Sequence, residues 1–132
     1  MKILAIDDDQ IMLNILAKHF SDTVIEFVGC SRGFEGLSAF EMALAQNKPF
    51  QVVLLDVHMP HVSGLFILKH LRKLEREVYF QDDRVNTIVC MLTSDNSTDV
   101  ILGAFDDDCD GFLTKPLSLD KLDAFLKRQN AI

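Results

Sequence analysis

Five short apolar runs alternate along this chain with stretches of helical periodicity, and few folds accommodate that alternation. The runs are KILAID at 2–7, TVIEFVG at 23–29, QVVLLD at 51–56, NTIVCML at 86–92 and GFLT at 111–114. Between them, Ile11, Met12, Ile15, Leu16 and Phe20 are spaced for a helix over 10–20, and 33–47 reads as a second helix closed before Pro49. Ser63-Gly64 opens a third helix to about residue 76, with Leu65, Leu68, Leu71 and Arg72 along it, and a fourth is expected over 97–105. Ser118 is a good N-cap for the last helix, with Asp120 in its first turn and Leu119, Leu122 and Leu126 on one face. Five β–α units in succession predict an α/β fold, a doubly wound five-stranded parallel sheet with helices on both faces. The runs are continuous rather than alternating, as strands covered on both sides require.

The 132 residues suffice for one domain over 1–132, with no repeat or linker. The polar interval 75–86 is read as an extended connection between the third helix and the fourth strand. It is either a spacer, with Tyr79 and Phe80 covering a helix end, or a partner contact. No apolar run is long enough to span a bilayer, and MKILAIDDD lacks a signal-peptide core, so a cytoplasmic location without membrane insertion is expected. Cys30, Cys90 and Cys109 show no CxxC spacing and suggest neither a disulfide nor a zinc knuckle; Cys90 reads as core filling. The net charge of −7 argues against a broad phosphate-binding face, so no direct nucleic-acid binding is expected.

One residue interrupts the apolar logic. The run at 51–56 ends on a lone carboxylate, Asp56, and an uncompensated charge there is costly. In an open parallel sheet, ligands bind beyond the carboxyl ends of the strands. At those ends stand Asp7-Asp8-Asp9, Asp56, Thr93-Ser94 and Thr114-Lys115-Pro116. Carboxylates gathered there repel one another unless a cation intervenes, and oxygen-only donors in a tight site suit Mg2+. Lys115 supplies a further positive charge. A metal, a lysine and a hydroxyl together suit phosphoryl transfer, which is mostly positioning and charge neutralisation. A carboxylate can itself be the nucleophile, forming an aspartyl phosphate.

The segments ILAIDDD, VVLLDVHMPHVSG, VCMLTS and GFLTKP, in that order, resemble the receiver domain of two-component response regulators over essentially the whole chain. The resemblance implies a flavodoxin-like sheet in the order 2-1-3-4-5. It implies Asp56 as phosphoacceptor, with Mg2+ held directly by Asp8, Asp56 and the main-chain carbonyl of His58, and by Asp7 through water. Thr93, Ser94 and Lys115 would contact the phosphoryl group, Thr93 and Phe112 would switch, and the Lys115–Pro116 bond would be cis. The donor implied is a sensor histidine kinase or a histidine phosphotransfer domain. The responding surface would be formed by the 97–105 helix, the last strand and the last helix. His58 and Asp95, two positions after Asp56 and Thr93, would tune phosphoryl lifetime. The interval from Asp56 to Thr93 is longer than the family's usual spacing, with 75–86 accounting for the excess.

Other residues have plainer readings. Asp9 is read as the N-cap of the first helix. Asp56, His58 and His61 could form a transition-metal set, but His61 in the Pro60 turn is expected to face solvent. His19 and His70 are placed on helix surfaces or edges, and Asp106, Asp107, Asp108 and Asp110 in a solvated loop. Two competing functions remain. An aspartate-nucleophile phosphohydrolase would normally carry a second Asp where His58 stands. A degenerate receiver would act as an adaptor without phosphorylation. The chain stops just after the last helix, so no output domain is expected within it, and it reads either as a stand-alone receiver or as the receiver part of a longer protein.

Overall fold

The computed structural model describes residues 1–79, 86–94 and 109–132. The helix expected over 97–105, together with Phe80, Asp95, Asp106, Asp107 and Asp108, lies outside the described residues. β1 (Lys2–Ile6), β2 (Glu26–Cys30), β3 (Val52–Asp56), β4 (Ile88–Thr93) and β5 (Gly111–Thr114) form one parallel sheet in the order β2-β1-β3-β4-β5. The order 2-1-3-4-5 is thus the one expected. The described helices are α1 (Gln10–Phe20), α2 (Gly33–Ala45), α3 (Gly64–Tyr79) and, last, α4 (Leu119–Arg128).

Successive side chains of a strand point to opposite faces, and here both faces are apolar. Ile3, Ala5, Val52 and Leu54 join α1 and α4 through Leu13, Leu16, Leu122 and Leu126. Leu4, Ile6, Val53 and Leu55 join α2 and α3 through Phe40, Leu44, Ile67 and Leu71. Val52 to Leu55 have no exposed surface, and each such side chain contributes roughly 1.5–3 kcal/mol relative to exposure. That burial holds Asp56 rigidly at the strand tip.

Helix starts follow local chemistry. The Asp9 carboxylate accepts hydrogen bonds from the Ile11 and Met12 N–H groups, at 3.0 and 3.3 Å, and is the N-cap of α1. Ser118 Oγ accepts from the Lys121 N–H of α4 at 3.3 Å.

Several boundaries shift from the sequence reading. β2 begins at Glu26 rather than residue 23, because Thr23 turns back to donate to the Phe20 carbonyl (2.6 Å) and accepts from the Ile25 N–H. β4 begins at Ile88 rather than 86, since the Thr87 N–H is taken by Glu75 Oε2 at 2.7 Å. α3 runs on to Tyr79. Ile11 and Ile15 stand outward, 72% and 46% exposed, while Met12, Leu13, Leu16 and Phe20 fill the core.

Asp110 corrects the solvated-loop reading. Its carboxylate accepts from Arg72 Nη2 (3.1 Å) and from the Val89 N–H (2.8 Å). Arg72 also donates to Glu75 Oε1 (3.0 Å) and to the Thr87 carbonyl (2.7 Å). α3 is thereby tied to the beginnings of β4 and β5. Arg72 and Glu75 are both buried, and a buried charge is tolerated only when partnered in this way.

Candidate functional site

The tips of three strands converge on one acidic cluster. Asp7 follows β1 directly, and its N–H donates to the Cys30 carbonyl of β2 at 3.1 Å. Its Oδ1 accepts from the Asp9 N–H at 2.9 Å, which folds the strand end into the start of α1. Asp56 ends β3, where its backbone pairs with Leu92 of β4. Carboxylate oxygens of Asp7, Asp8 and Asp56 all lie within 4.8 Å of one another. Asp7 and Asp56 are buried and Asp8 is exposed, so the cluster has an open side.

Lys115, just beyond β5, reaches in from across the sheet. Its Nζ lies 2.9 Å from Asp7 Oδ2 and 3.3 Å from Asp56 Oδ1. The contact with Asp7 Oδ2 is an ion pair without hydrogen-bond geometry, and Asp7 Oδ2 and Asp56 Oδ2 are buried without a hydrogen-bond partner among the described residues. Burial first, then the Asp7 charge and a hydrogen bond with Asp8, push the Asp56 carboxyl up to about 7, against the lowering effect of Lys115. Burial alone would lower the Lys115 ammonium, but Asp7 and then Asp56 outweigh it and leave its pKa raised.

The other residues singled out from sequence sit around this centre. Thr93 is buried at the end of β4, one position beyond the backbone partner of Asp56, and pairs with Thr114 of β5. Ser94 is exposed. The Lys115–Pro116 peptide is cis. Phe112 is partly buried on the face of the sheet shared with α2 and α3. The His58 N–H donates to Asp56 Oδ1 at 3.3 Å, and the His58 side chain is exposed. Asp95 lies outside the described residues.

His61 does not join the carboxylates. It is exposed, and its Nε2 accepts from the Gly33 N–H at 2.7 Å. α2 lacks a side-chain cap of its own at Arg32, so the ring serves the free N–H of that helix from a distant loop. Sequence reasoning missed this pairing, and no local signal announces it. Gly33 permits it, because a Cβ there would stand 2.4 Å from Val62 Cγ1 of the same loop. The loop between β3 and α3 is pinned at its other end by Gly64, whose N–H donates to the Val57 carbonyl at 2.8 Å.

Two buried carboxylates, an exposed third and one ammonium form an oxygen-rich cluster that could hold a cation at the carboxyl edge of the doubly wound sheet. Three oxygens with no nitrogen or sulfur donor match the preference of Mg2+. A hollow of ≈ 430 Å³ between His19, Phe20, Ile25, Asp123 and Lys127 lies at the opposite, amino edge of the sheet.

Comparison with known proteins gives the family. The model of the response regulator receiver domain family matches residues 3–127, and the chain belongs to this family. It is 28% identical over 122 residues to the two-component response regulator ORR21 of Oryza sativa, a match covering 92% of this chain and 16% of that protein. The chain therefore spans about one-sixth of that relative's length. Among solved structures, chemotaxis protein CheY4 of Vibrio cholerae superimposes with a TM-score of 0.78 at 26% identity, covering 96% of each chain. The receiver domain of the histidine kinase CKI1 from Arabidopsis thaliana, solved with Mg2+ and BeF3-, gives 0.84 at 23% identity, covering 99% of this chain and 90% of that one. The last of these likenesses concerns the fold. No described helix is long and apolar enough to cross a membrane.

Proposed function

We propose that this domain is a phosphoacceptor switch in which Asp56 accepts a phosphoryl group from a phosphohistidine. The supporting observation is the clustering of the Asp7, Asp8 and Asp56 carboxylate oxygens within 4.8 Å of one another, with Lys115 Nζ 2.9 Å from Asp7 Oδ2 and 3.3 Å from Asp56 Oδ1. Asp8, Asp56 and the His58 carbonyl would hold Mg2+ directly, with Asp7 behind them through water. The bound ion would supply the positive charge that lets Asp56 ionise and that neutralises the phosphoryl oxygens.

The chain's own residues account for the remaining chemistry. An Asp56 oxygen forms a bond to phosphorus while the bond from phosphorus to the donor imidazole nitrogen breaks, its electron pair returning to that nitrogen. Lys115 pairs with the transferred group, and Thr93 and Ser94 donate hydroxyl hydrogen bonds to it. The phosphoryl group adds about −1.5 to −2 charges. Thr93 and Phe112 respond by favouring a second arrangement around β5 and α4, which changes the surface offered to a downstream protein. The donor is a sensor histidine kinase or a histidine phosphotransfer domain.

Incubation with Mg2+ and acetyl phosphate, followed by intact mass measurement, is expected to show a labile gain of one phosphoryl group that is absent from Asp56→Asn. Sustained turnover of phosphomonoesters would instead indicate a phosphohydrolase. No gain, and no spectral change with beryllofluoride, would indicate a degenerate receiver.

His58 and Asp95 are proposed to tune the lifetime of the phosphoryl group, because they stand two positions after Asp56 and Thr93 in the sequence, where receiver domains carry the residues that overlook the path of attacking water. His58→Ala and Asp95→Ala are expected to change the decay rate of the phosphorylated form more than its formation rate. Unchanged decay in both variants would remove them from this role.

A further inference from the structure

The first part of α3, residues 64–73, is unlike the rest of this acidic chain. From Gly64 to Lys73 it contains no Asp or Glu, while the chain as a whole carries a net charge of −7. Lys69 and Lys73 are exposed and follow Phe66 by three and seven positions, which places all three on one helix face. Phe66 is 43% exposed, and Phe34 at the start of α2 is 53% exposed. Their rings meet edge to face, with centroids 6.1 Å apart.

His70 lies on Phe66 at 4.1 Å, and its Nδ1 is 3.0 Å from the Phe66 carbonyl. The aromatic group is therefore ordered before anything binds it. Arg32, also exposed, stands two residues before Phe34. Two exposed acids border the group, Glu35 next to Phe34 in sequence and Glu77 four positions beyond Lys73.

We infer that this α2–α3 face, with Phe34, Phe66 and His70 flanked by Arg32, Lys69 and Lys73, is a docking surface for an acidic protein segment bearing a bulky apolar side chain among its carboxylates. Pre-ordered aromatic side chains with cations at their edge are what binding hot spots commonly contain. Charge complementarity selects the partner. Single-stranded nucleic acid also stacks on aromatic rings, but it needs a long basic groove, and a small cationic face on a strongly acidic chain does not provide one. The face is built from α2 and α3 alone, so the inference stands apart from the phosphoacceptor reading and is testable in Asp56→Asn.

The probe is the synthetic peptide acetyl-EEDFLEED-amide, titrated into 15N-labelled full chain and followed by amide chemical shifts. Shifts are expected to centre on residues 32–34 and 66–73. Affinity is expected to fall at least about tenfold in Lys69→Glu/Lys73→Glu and in Phe66→Ala, equivalent to roughly 1.4 kcal/mol, while Lys48→Glu stays within about twofold. Replacing the peptide's Phe-Leu with Ala-Ala is expected to abolish binding. Thermal melts of the variants, all at exposed positions, check that the fold is kept.

Shifts elsewhere, or none up to the solubility limit of the peptide, would overturn the inference. So would equal affinity in the charge-reversed variant, oligo-dT binding with the same shift map, or self-association lost in Phe66→Ala.

Discussion

Asp56→Asn is expected to make the protein more stable, by about 2 kcal/mol at pH 8, with the gain vanishing near pH 4. Burial, the Asp7 charge and the hydrogen bond with Asp8 raise the Asp56 carboxyl from its ordinary 3.8 to about 7. A carboxyl raised on folding binds its proton more tightly in the native state. Ionising it therefore costs stability, nothing below the unfolded value and progressively more as pH climbs from about 4 through 7. At ~1.4 kcal/mol per pH unit the full displacement is worth about 4 kcal/mol, and solvent screening at the open edge of the site reduces it by roughly half. Asparagine keeps the shape and never ionises, so its urea midpoint should be free of that slope.

Mg2+ enters the same balance. An ion that binds only the native site stabilises it by mass action, so it should raise the melting temperature of the natural protein strongly at pH 8 and weakly at pH 5. It should do little for Asp56→Asn. A flat difference between the two proteins across pH 4–8 would contradict the crowding of charge around Asp56.

Gly64→Ala should have the opposite effect, with a loss of about 3 kcal/mol measured by urea unfolding. A Cβ at Gly64 would stand 2.1 Å from the Asp56 carbonyl oxygen and 2.9 Å from the Val57 Cα. Both are backbone atoms, so no side chain can swing away to make room. The start of α3 or the tip of β3 must move, and the second of these carries Asp56. Phosphorylation by acetyl phosphate should therefore slow along with the loss of stability. An alanine variant with unchanged midpoint and unchanged rate would show that the approach of α3 to β3 is looser than the structure has it.

Sequence alone reached the sheet because β3 and β4 are covered on both faces, so their apolar residues run without interruption through VVLL and IVCML. It also identified the ends of those strands as the place where Asp7, Asp8, Asp56 and Lys115 would gather, since parallel strands necessarily bring their carboxyl tips to one edge. Contacts between residues distant in sequence were not legible. Nothing local says that His61 will meet the Gly33 N–H or that Asp110 will leave its acidic neighbours for Arg72. Helical periodicity grouped Ile11 and Ile15 with Met12, Leu16 and Phe20, but only the position of the sheet decides which side of an apolar helix is covered. The starts of β2 and β4 moved because Thr23 and Glu75 claim backbone groups that a ladder would otherwise use.

The cluster of Arg72, Glu75 and Asp110 has a mechanical consequence. It fastens α3 to the amino ends of β4 and β5 through charge-assisted hydrogen bonds, while Thr93 and Lys115 stand at the far ends of those two strands, beside Asp56 at the tip of β3. A disturbance at those far ends cannot translate the two strands bodily past α3. It must swing them, with displacement growing from the riveted edge toward the free one, as a door moves on its hinge.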